Sequence, residues 1–245
     1  MDTNFLIVVT VYNCEKYIGF CLRSILSQEY KNFNLVVVDD CSTDSTSDIL
    51  RSWGGFKYYR NQLRSGSAVG NIVKAIKMCP GDSEDVIVIV DGDDWLYDDK
   101  VLGFLNRIYQ KSYIWLTYGQ FTSVSGQLEN FCRPLLDTRN YRRKGAWYTS
   151  HPKTMKRWLW DKIKEKDLKD SKGNFFKRFE DISYMYCALE MAGVKHIMFI
   201  NKILYVYNDR NNLCSLNEYK EKQRLKEIMP IKLEIIRKPV YNEIS

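Results

Sequence analysis

Three carboxylates lie within four residues of one another, directly after an apolar run, in the stretch VIVIVDGDDW from Val86 to Trp95. Asp91, Asp93 and Asp94 repel one another, and the apolar run offers them no solvation. Crowded carboxylates are stable where a divalent cation or hydrogen-bond donors neutralise them. Hard oxygen ligands favour magnesium or manganese, which in proteins often bind substrate phosphates. The stretch therefore predicts a metal site beside a phosphate-bearing ligand.

Two further apolar runs also end in polar residues. Thr10 and Tyr12 end the first run, and Asp39 and Asp40 end the second. In open parallel sheets, ligands bind outside the carboxyl ends of the strands, so all three polar clusters should lie along one edge. A metal, a flat aromatic ring and an aspartate acceptor together predict a site for a nucleoside diphosphate.

A simpler alternative explains the same aspartates. Asp93 and Asp94 would cap the next helix, and Asp39 and Asp40 would only form turns. A lone DxD pattern is common in unrelated proteins and would favour this alternative. The joint pattern at three strand ends is what favours a binding site.

The elements that must position these residues alternate between strands and helices in the first half of the chain. Runs rich in β-branched residues alternate with stretches whose apolar residues recur at helical spacing. Strands are predicted at 5–12, 33–40, 57–61 and 86–91, and helices at 15–28, 43–53 and 67–79. This alternation indicates an α/β fold whose mostly parallel sheet is covered by helices on both faces.

The second half of the chain is less regular. Helices are predicted near 98–110 and 153–166 and at 180–192, strands at 113–121 and 195–200, and a basic amphipathic stretch at 218–237. For this last stretch we favour core or homodimer packing, and peripheral contact with an anionic membrane is the alternative. No low-complexity linker divides the chain, so we predict one continuous fold.

The net charge of +7 is unevenly distributed. Residues 139–178 contain 14 Lys or Arg and 4 Asp or Glu, a local charge of +10, which leaves −3 for the rest of the chain. Such a segment could contact nucleic acid, an anionic membrane or an anionic substrate, or be an ordinary solvated helix surface. Nucleic acid is the partner we favour least, because only this charge supports it.

The chain carries features of a cytoplasmic protein. The first residues have no basic n-region or small-residue cleavage site, and no stretch approaches the ~18 apolar residues that a membrane span needs. The seven cysteines form no CxxC pair, which disfavours a disulfide framework and a zinc site. We expect reduced thiols and a cytoplasmic location. Peripheral membrane contact through the amphipathic stretch 218–237 is the alternative.

The motifs resemble those of family 2 glycosyltransferases, which have the GT-A fold, a Rossmann-like sheet with a less regular acceptor-side region. The matching pieces keep the family's order and spacing over roughly the first 200 residues: VTVYNCEKYIGFCLRSILSQEYKNFNLVVVDDCSTDST (9–46), GSAVGN (66–71), VIVDGDDW (88–95) and FEDISYMYCALEMAG (179–193). The resemblance implies a nucleotide-sugar-binding half (1–97), an acceptor-side half (98–215) and a C-terminal helical extension (216–245).

The resemblance also implies an activity. Enzymes of the family transfer a sugar from a nucleotide diphosphate sugar to an acceptor hydroxyl with inversion, here with Mn²⁺ or Mg²⁺, a UDP-sugar donor and a glycan or glycoconjugate acceptor. By the same resemblance, Thr10, Tyr12 and Asp40 would contact the nucleobase, and Asp39 would shape its pocket. Asn71 and Asp91 would make further contacts with the donor. Asp93 and Asp94 would be metal ligands, and Asp181 would be the general base.

One position departs from the family pattern. An arginine that often helps to hold the donor precedes the asparagine of the GSAVGN piece, and this chain has Gly70 there, before Asn71. Arg64 lies nearby in the sequence and is a candidate to replace it.

The general-base role of Asp181 also has local support. The helix predicted at 180–192 has an apolar stripe and Gly193 as a stop; the stripe is formed by Ile182, Met185, Tyr186 and Leu189. Asp181 would therefore lie at a helix N-terminus, where the helix dipole favours a negative charge. The alternative is that Glu180 or Asp181 only caps the helix.

Several other polar or aromatic residues are secondary candidates. His151 lies where acceptor contacts are plausible, and an ordinary loop histidine is the alternative; His196, in an apparent strand, is interpreted as structural. The polar stretch 205–217 could cover the donor phosphates with Arg210 as the cation, or form a surface turn. Aromatic residues that could stack on sugars, or belong to the core, are Trp147, Tyr148, Trp158 and Trp160.

Competing classes of protein fit less well. A nucleotidyltransferase would show a basic, glycine-rich phosphate loop near the first strand, and TVYNCEKY has none. A dinucleotide-dependent oxidoreductase would show GxGxxG after that strand. A non-catalytic nucleotide-sugar-binding protein stays an alternative, although such a protein could lose its carboxylates freely.

Overall fold

Eight strands and eight α-helices form the part of the chain that the structure describes. The strands are β1 Phe5–Val11, β2 Phe33–Asp39, β3 Lys57–Arg60, β4 Val86–Asp91, β5 Trp95–Leu96, β6 Leu116–Ser123, β7 Lys153–Lys156 and β8 Ile197–Tyr207. The helices are α1 Ile18–Leu26, α2 Thr46–Ser52, α3 Ala68–Met78, α4 Val101–Tyr109, α5 Tyr141–Lys144, α6 Arg157–Asp161, α7 Glu180–Ala192 and α8 Lys222–Arg237. This computed structural model describes residues 2–128, 131–211 and 222–244, without the side chains of 222–225.

The strands form one mostly parallel sheet in the order β3-β2-β1-β4-β7-β6-β8-β5. The first four strands are parallel, as the alternation of strands and helices predicts. In this register Thr10 lies beside Asp91, and Val11 lies beside Asp39. The polar strand ends therefore meet at one edge of the sheet, and this part of the sequence-based prediction is confirmed.

Helices cover both faces of the sheet. One buried core packs the sheet against α1 and α4, and a second packs it against α3, α6 and α7. β1 and β4 contribute alternate residues to the two cores, which explains why their sequences are continuous apolar runs. The predicted stripe of α1, made of Ile18, Cys21, Leu22 and Ile25, is buried.

The predicted helix near 153–166 is wrong in its first part. Residues Lys153–Lys156 form β7, a buried strand that pairs antiparallel with both β4 and β6. The five-residue helix α6 and a 3-10 turn at Glu165–Leu168 follow it. The strand carries lysine, threonine and methionine instead of an apolar run, so hydrophobic periodicity could not detect it.

The strand predicted at 195–200 is longer in the structure. β8 extends from Ile197 to Tyr207 and pairs with both β6 and the short strand β5. It therefore delivers residues 205–208 to the edge of the sheet where the carboxylates lie.

The basic segment 139–178 is only partly a solvated surface. Four of its cations are buried: Arg142, Lys153, Lys156 and Arg157. Arg142 forms two hydrogen bonds of 2.7 Å with the buried Glu190. These four side chains belong to the folded body and cannot serve as a free anion-binding surface.

The C-terminal amphipathic stretch is helical over its described part, since α8 spans Lys222–Arg237. The predicted stretch from 218 to 221 lies outside the described residues. Ile235 is buried in the core beside α7, whereas Met229 and Leu233 are exposed. Among the described helices, none is long and apolar enough to cross a membrane.

Candidate active site

Asp39, at the end of β2, is a fully buried structural residue. Its Oδ1 accepts hydrogen bonds from the backbone and hydroxyl of Ser42, and its Oδ2 accepts one from Tyr58. The Arg60 guanidinium lies 3.4 Å from Oδ2. These contacts hold Asp39 against the turn after β2 and against β3; its predicted role in shaping a donor pocket stays a prediction.

Asp40 organises the loop that precedes α3. Its carboxylate accepts hydrogen bonds from the backbone amides of Ser65 and Gly66, at 2.8 and 2.7 Å, and from the Asn61 amide at 2.7 Å. Burial alone would raise the pKa of Asp40, but these hydrogen bonds outweigh it and hold the pKa below its usual value. Of these hydrogen bonds, Oδ2 accepts only the one from Gly66, so this oxygen can accept a further hydrogen bond while the carboxyl is ionised.

Asn71 belongs to the same network. It is buried, and its Oδ1 accepts a hydrogen bond of 2.8 Å from Asn61, which also binds Asp40. Thr10 is buried at the end of β1, and its carbonyl accepts a hydrogen bond from Gly92. A Cβ at Gly92 would lie 2.7 Å from Val11, so the turn after β4 requires glycine.

The half-buried Tyr12 presents one face of its ring to Arg64. The Arg64 guanidinium carbon lies 3.7 Å from the ring centroid, a cation–π contact. At Gly70, where the family often has arginine, an added Cβ would lie 3.1 Å from the ring of Phe175. Phe175 thus fills the space beside position 70, while Arg64 brings a cation to Tyr12.

The predicted carboxylate cluster at the end of β4 is present. Asp94 is 1% exposed, and its Oδ1 accepts a hydrogen bond of 2.7 Å from the backbone of Asn208, just after β8. Asp93 accepts one of 2.8 Å from the side chain of Asn211. Asn208 and Asn211 thus donate to the carboxylates. The predicted cover over donor phosphates stays a prediction; Arg210 is exposed, and residues 212–217 of the predicted stretch lie outside the described residues.

One histidine completes a group of metal-ligand type. Asp91, Asp94 and His151 each offer one ligand atom, and these atoms lie within 4.8 Å of one another. Oδ2 of Asp94 is buried and accepts no hydrogen bond from the residues that the structure describes. A buried carboxylate oxygen without a donor is costly, so the arrangement fits a divalent cation. Asp93 is not in this group, and its role as a direct ligand stays a prediction.

The electrostatics of the cluster fit a site that would bind a divalent cation. Burial raises the pKa of Asp91 to about 6; Lys153 opposes this rise, and Asp93 and Asp181 add to it. Burial also raises the pKa of Asp94 well above its usual value, with Asp93 and Asp91 adding to the rise. A bound cation would stabilise the ionised carboxylates and reverse both shifts.

His151 is buried within this site. Its ring stacks on Tyr205 at 4.3 Å between centroids, and its Nε2 lies 3.6 Å from Oδ2 of Asp91. Burial and the charge of Lys153 lower the pKa of His151 well below its usual value, so the imidazole is neutral and can act as a ligand. His196, by contrast, stacks on Trp115 at 3.5 Å, consistent with a structural role.

Asp181 lies in the first turn of α7, as predicted. Phe179, the residue before the helix, has φ 55°, a left-handed conformation that turns the chain sharply into α7. Oδ1 of Asp181 accepts a hydrogen bond of 2.8 Å from the Ile182 amide, and Oδ2 lies 3.3 Å from Nζ of Lys153. The neighbouring Glu180 is half-buried, and burial raises its pKa to about 7, with the charge of Asp181 adding to the rise.

One cavity of about 340 Å³ joins the two halves of the site. It is lined by Asp91 and His151 on the sheet side and by Glu180 and Asp181 on α7. Trp147 also lines it, as one of the four aromatic residues singled out above. The remaining wall is largely apolar: Phe121, Leu128, Phe131, Ile182, Tyr207 and Ile228.

Four residues of this site escaped the site prediction or received another role. Lys153 had no assigned role, and His151 was considered only for the acceptor. Asn208 and Asn211 are donors to the carboxylates. The signals in the sequence were the histidine and lysine of HPKT and the polar stretch 205–217, which contains Asn208 and Asn211.

Comparison with known proteins places the chain among glycosyltransferases. The family model described as "Glycosyl transferase family 2" matches residues 6–166, a range that ends before Asp181. "Glycosyltransferase GlyA" of Streptococcus pneumoniae is 31% identical over 131 residues, which are 51% of this chain and 18% of that protein. This chain therefore spans less than a fifth of the length of that relative.

Solved structures with the GT-A fold cover nearly the whole chain. TarS 1–349 of S. aureus, in complex with UDP-GlcNAc, has a TM-score of 0.68 and 21% identity, covering 98% of this chain and 68% of that one. The mannosyltransferase PcManGT of Pyrobaculum calidifontis, in complex with GDP-Man and Mn²⁺, has a TM-score of 0.62 and 18% identity, covering 96% and 68%. At these identities the likeness shows the fold.

Proposed function

The chain belongs to glycosyl transferase family 2, and from this premise we propose that it transfers a sugar from a UDP-sugar to a hydroxyl of a glycan or glycoconjugate acceptor, with inversion. The observation that carries the proposal is the shared cavity, in which Asp91 of the carboxylate cluster and Asp181 of α7 line the same 340 Å³ space. A donor diphosphate and a base acting on the acceptor need this proximity, because the two must meet at one sugar carbon.

The nucleoside would bind at the ends of β1 and β2. Tyr12 offers a ring face for stacking on the base, and Arg64, which covers that face, is exposed and can move aside. The ionised Asp40 retains acceptor capacity on Oδ2 for an N–H at the edge of uracil. Solved structures of the same fold hold UDP-GlcNAc in one case and GDP-Man in another, which supports the nucleotide-sugar class. The choice of uridine rests on Asp40.

A divalent cation, Mn²⁺ or Mg²⁺, would be held by Asp94 and Asp91 with His151, and the sequence adds Asp93 as a further candidate ligand. The support is the buried Oδ2 of Asp94 and the set of oxygen and imidazole donors. The chemistry that such a cation supplies when bound is neutralisation of charge on the leaving diphosphate. The neighbour PcManGT was solved with Mn²⁺.

Asp181 would act as the general base. The acceptor oxygen bonds to the anomeric carbon while the bond from that carbon to the diphosphate oxygen breaks, and the hydroxyl proton passes to the Asp181 carboxylate. Asp181 is about one-third exposed, and it lines the same cavity as Asp91. Attack from the face opposite the diphosphate inverts the anomeric carbon. Base catalysis of this kind typically contributes ~10²–10⁴-fold.

The proposal is tested by nucleotide binding to the purified protein. Calorimetric titrations with UDP, GDP and dTDP are each run with Mn²⁺ and with EDTA, and thermal melts are recorded in parallel. We expect UDP with Mn²⁺ to bind most tightly and to stabilise the fold by ~2.7 kcal/mol at a concentration of 100 Kd. Tightest binding of GDP would overturn the assignment of uridine alone, whereas no binding of any nucleotide would overturn the proposed donor site.

A panel of UDP-sugars then identifies the donor. Release of UDP is measured for each sugar, first with water as the only acceptor and then with added glycans. The product must carry the anomeric configuration opposite to that of the donor. A product that retains it would overturn the single-displacement scheme.

A further inference from the structure

Lys153 is a buried lysine at the floor of the active-site cavity. It is 3% exposed and is the first residue of β7. β7 pairs antiparallel with β4, and Lys153 lies opposite Ile89, two residues before Asp91. Because side chains alternate along a strand, Lys153 shares its face of the sheet with Met155, in the core that packs on α7. This register places the ammonium between the carboxylate cluster and α7.

The ammonium has two close partners. Its Nζ lies 3.3 Å from Oδ2 of Asp181 and 3.1 Å from Nε2 of His151. An ammonium is rarely buried unless it is paired, because it loses its hydration. The neutral His151 cannot balance a charge. Its one ring lone pair accepts from Lys153 here and would have to be released for the imidazole to bind a cation. The balancing charges are those of Asp181 and of Asp91, which interacts electrostatically with Lys153.

The Asp181 carboxylate is held from both sides. Oδ1 accepts the hydrogen bond from the Ile182 amide at the helix start, and Oδ2 is held by Lys153. Burial raises the pKa of Asp91 of β4 and of Glu180, Tyr184 and Tyr186 of α7, and Asp181 in turn adds to each rise. None of these four carries a positive charge. Lys153 sets an ammonium 3.3 Å from this carboxylate, and Arg178, three residues before Asp181, lines the same cavity.

We propose that Lys153 is a positioning residue for the transfer reaction: its buried ammonium fixes the orientation of the Asp181 carboxylate toward the acceptor hydroxyl. This inference rests on the proposed role of Asp181 as the base. It assigns Lys153 an effect on the chemical step that is transmitted through Asp181. It also explains why β7 carries a lysine at a position where a buried strand would ordinarily be apolar.

A double-mutant cycle tests this transmission. Lys153→Met removes the cation and keeps the length of the side chain, and Lys153→Arg keeps the cation. UDP release and UDP-sugar affinity are measured for these variants, for Asp181→Asn and for the double variant Lys153→Met with Asp181→Asn. The matched control is Lys156→Met, a buried lysine of the same strand that pairs with Glu84 at 3.3 Å, away from the cavity.

We expect Lys153→Met to lower kcat by ~10-fold or more with donor affinity changed less than ~3-fold, and Lys153→Arg to restore part of the rate. The double variant should be no slower than Asp181→Asn alone, because Lys153 then has no base to position. Lys156→Met should keep the parent kcat. Multiplicative losses in the double variant, or a loss of donor affinity equal to the loss of kcat, would overturn the proposal.

The cycle separates this inference from the proposed function. If Asp181→Asn is as fast as the parent, the assignment of the base fails and the positioning role fails with it. If Asp181→Asn is slow while Lys153→Met keeps the parent rate, only the role of Lys153 is wrong. If Lys153→Met does not fold, the same cycle is run with Lys153→Gln, which keeps a hydrogen-bond donor but no charge. A parent rate in that variant would overturn the charge-based role.

Discussion

Replacing Arg142 should destabilise the fold far more than replacing the adjacent Arg143. The Arg142 side chain is 1% exposed and that of Glu190 is 2% exposed, and two hydrogen bonds of 2.7 Å join them. The Glu190 carboxylate also accepts a hydrogen bond from the backbone of Tyr241. The pair thus ties α5 to α7 and to the segment after α8. Arg142→Met would leave the Glu190 carboxylate buried without its cation.

The size of the effect follows from the burial of the pair. Removing one partner of a buried ion pair typically costs about 3–5 kcal/mol, because an uncompensated charge remains in the interior. At about 2–4 °C per kcal/mol for a chain of this size, the melting temperature should fall by roughly 6–20 °C. Arg143 is exposed, so Arg143→Met should change stability by less than about 0.5 kcal/mol.

The pH dependence of the variant gives a second readout. Burial raises the pKa of Glu190, and Arg142 opposes that rise, so removing Arg142 raises the pKa further. A carboxyl whose pKa is higher in the folded state than in the unfolded state destabilises the fold when it ionises. This cost grows as the pH rises from the pKa of the unfolded state through the pKa of the folded state. The loss of folding stability caused by Arg142→Met should therefore be smaller at pH 5 than at pH 8.

Thermal and urea unfolding of the parent and both variants at pH 5 and pH 8 measure these differences. Equal stabilities of Arg142→Met and Arg143→Met would refute the reasoning from burial. If the stability loss of Arg142→Met instead grows as the pH falls, the pKa of Glu190 is not raised in the variant.

Three further predictions concern the site. Asp94→Asn and Asp93→Ala should each abolish metal-dependent turnover of the nucleotide sugar, measured as UDP release, while the fold stays intact. EDTA should have the same effect on the parent protein. Normal turnover in either variant would mean that its carboxylate does not belong to the metal site. Asp40→Asn should weaken UDP binding by roughly 10- to 100-fold in calorimetry, since a hydrogen bond to a charged group contributes about 1.5–3 kcal/mol, and unchanged affinity would exclude a contact with the base. Glu180→Gln should raise the melting temperature at pH 8 and leave it unchanged at pH 4. The pKa of Glu180 is raised to about 7, so its ionisation costs stability as the pH rises from about 4.5 through 7. The opposite pH trend would contradict the burial of this group.

The half of the site at the strand ends could be predicted from the sequence for a physical reason. Parallel strands buried on both faces are continuous apolar runs, so their ends are visible in the sequence. Asp39, Asp40 and Asp91 follow such runs, and the parallel register brings all of them to one edge. The first turn of α7 was equally visible, because its helical stripe locates Asp181.

The floor of the cavity could not be predicted in the same way. β7 is a buried strand without an apolar run, and its polar residues resemble a surface helix. The contact between Lys153 and Asp181 depends on how β7 and α7 pack, which no local pattern encodes. The burial of Arg142 escaped prediction for the same reason, since its partner Glu190 lies 48 positions away.

A comparison of two variants decides whether Asp181 is the base of a nucleotide-sugar-dependent transfer. Asp181→Asn keeps the size of the side chain and removes its basicity, while Glu180→Gln makes the same change one residue earlier on α7. Steady-state UDP release and UDP-sugar affinity are measured for both. We expect a loss of ~10²-fold or more in kcat for Asp181→Asn, unchanged donor affinity, and a smaller effect for Glu180→Gln. A near-normal rate for Asp181→Asn would contradict this role, and a collapse in Glu180→Gln alone would move the base by one residue.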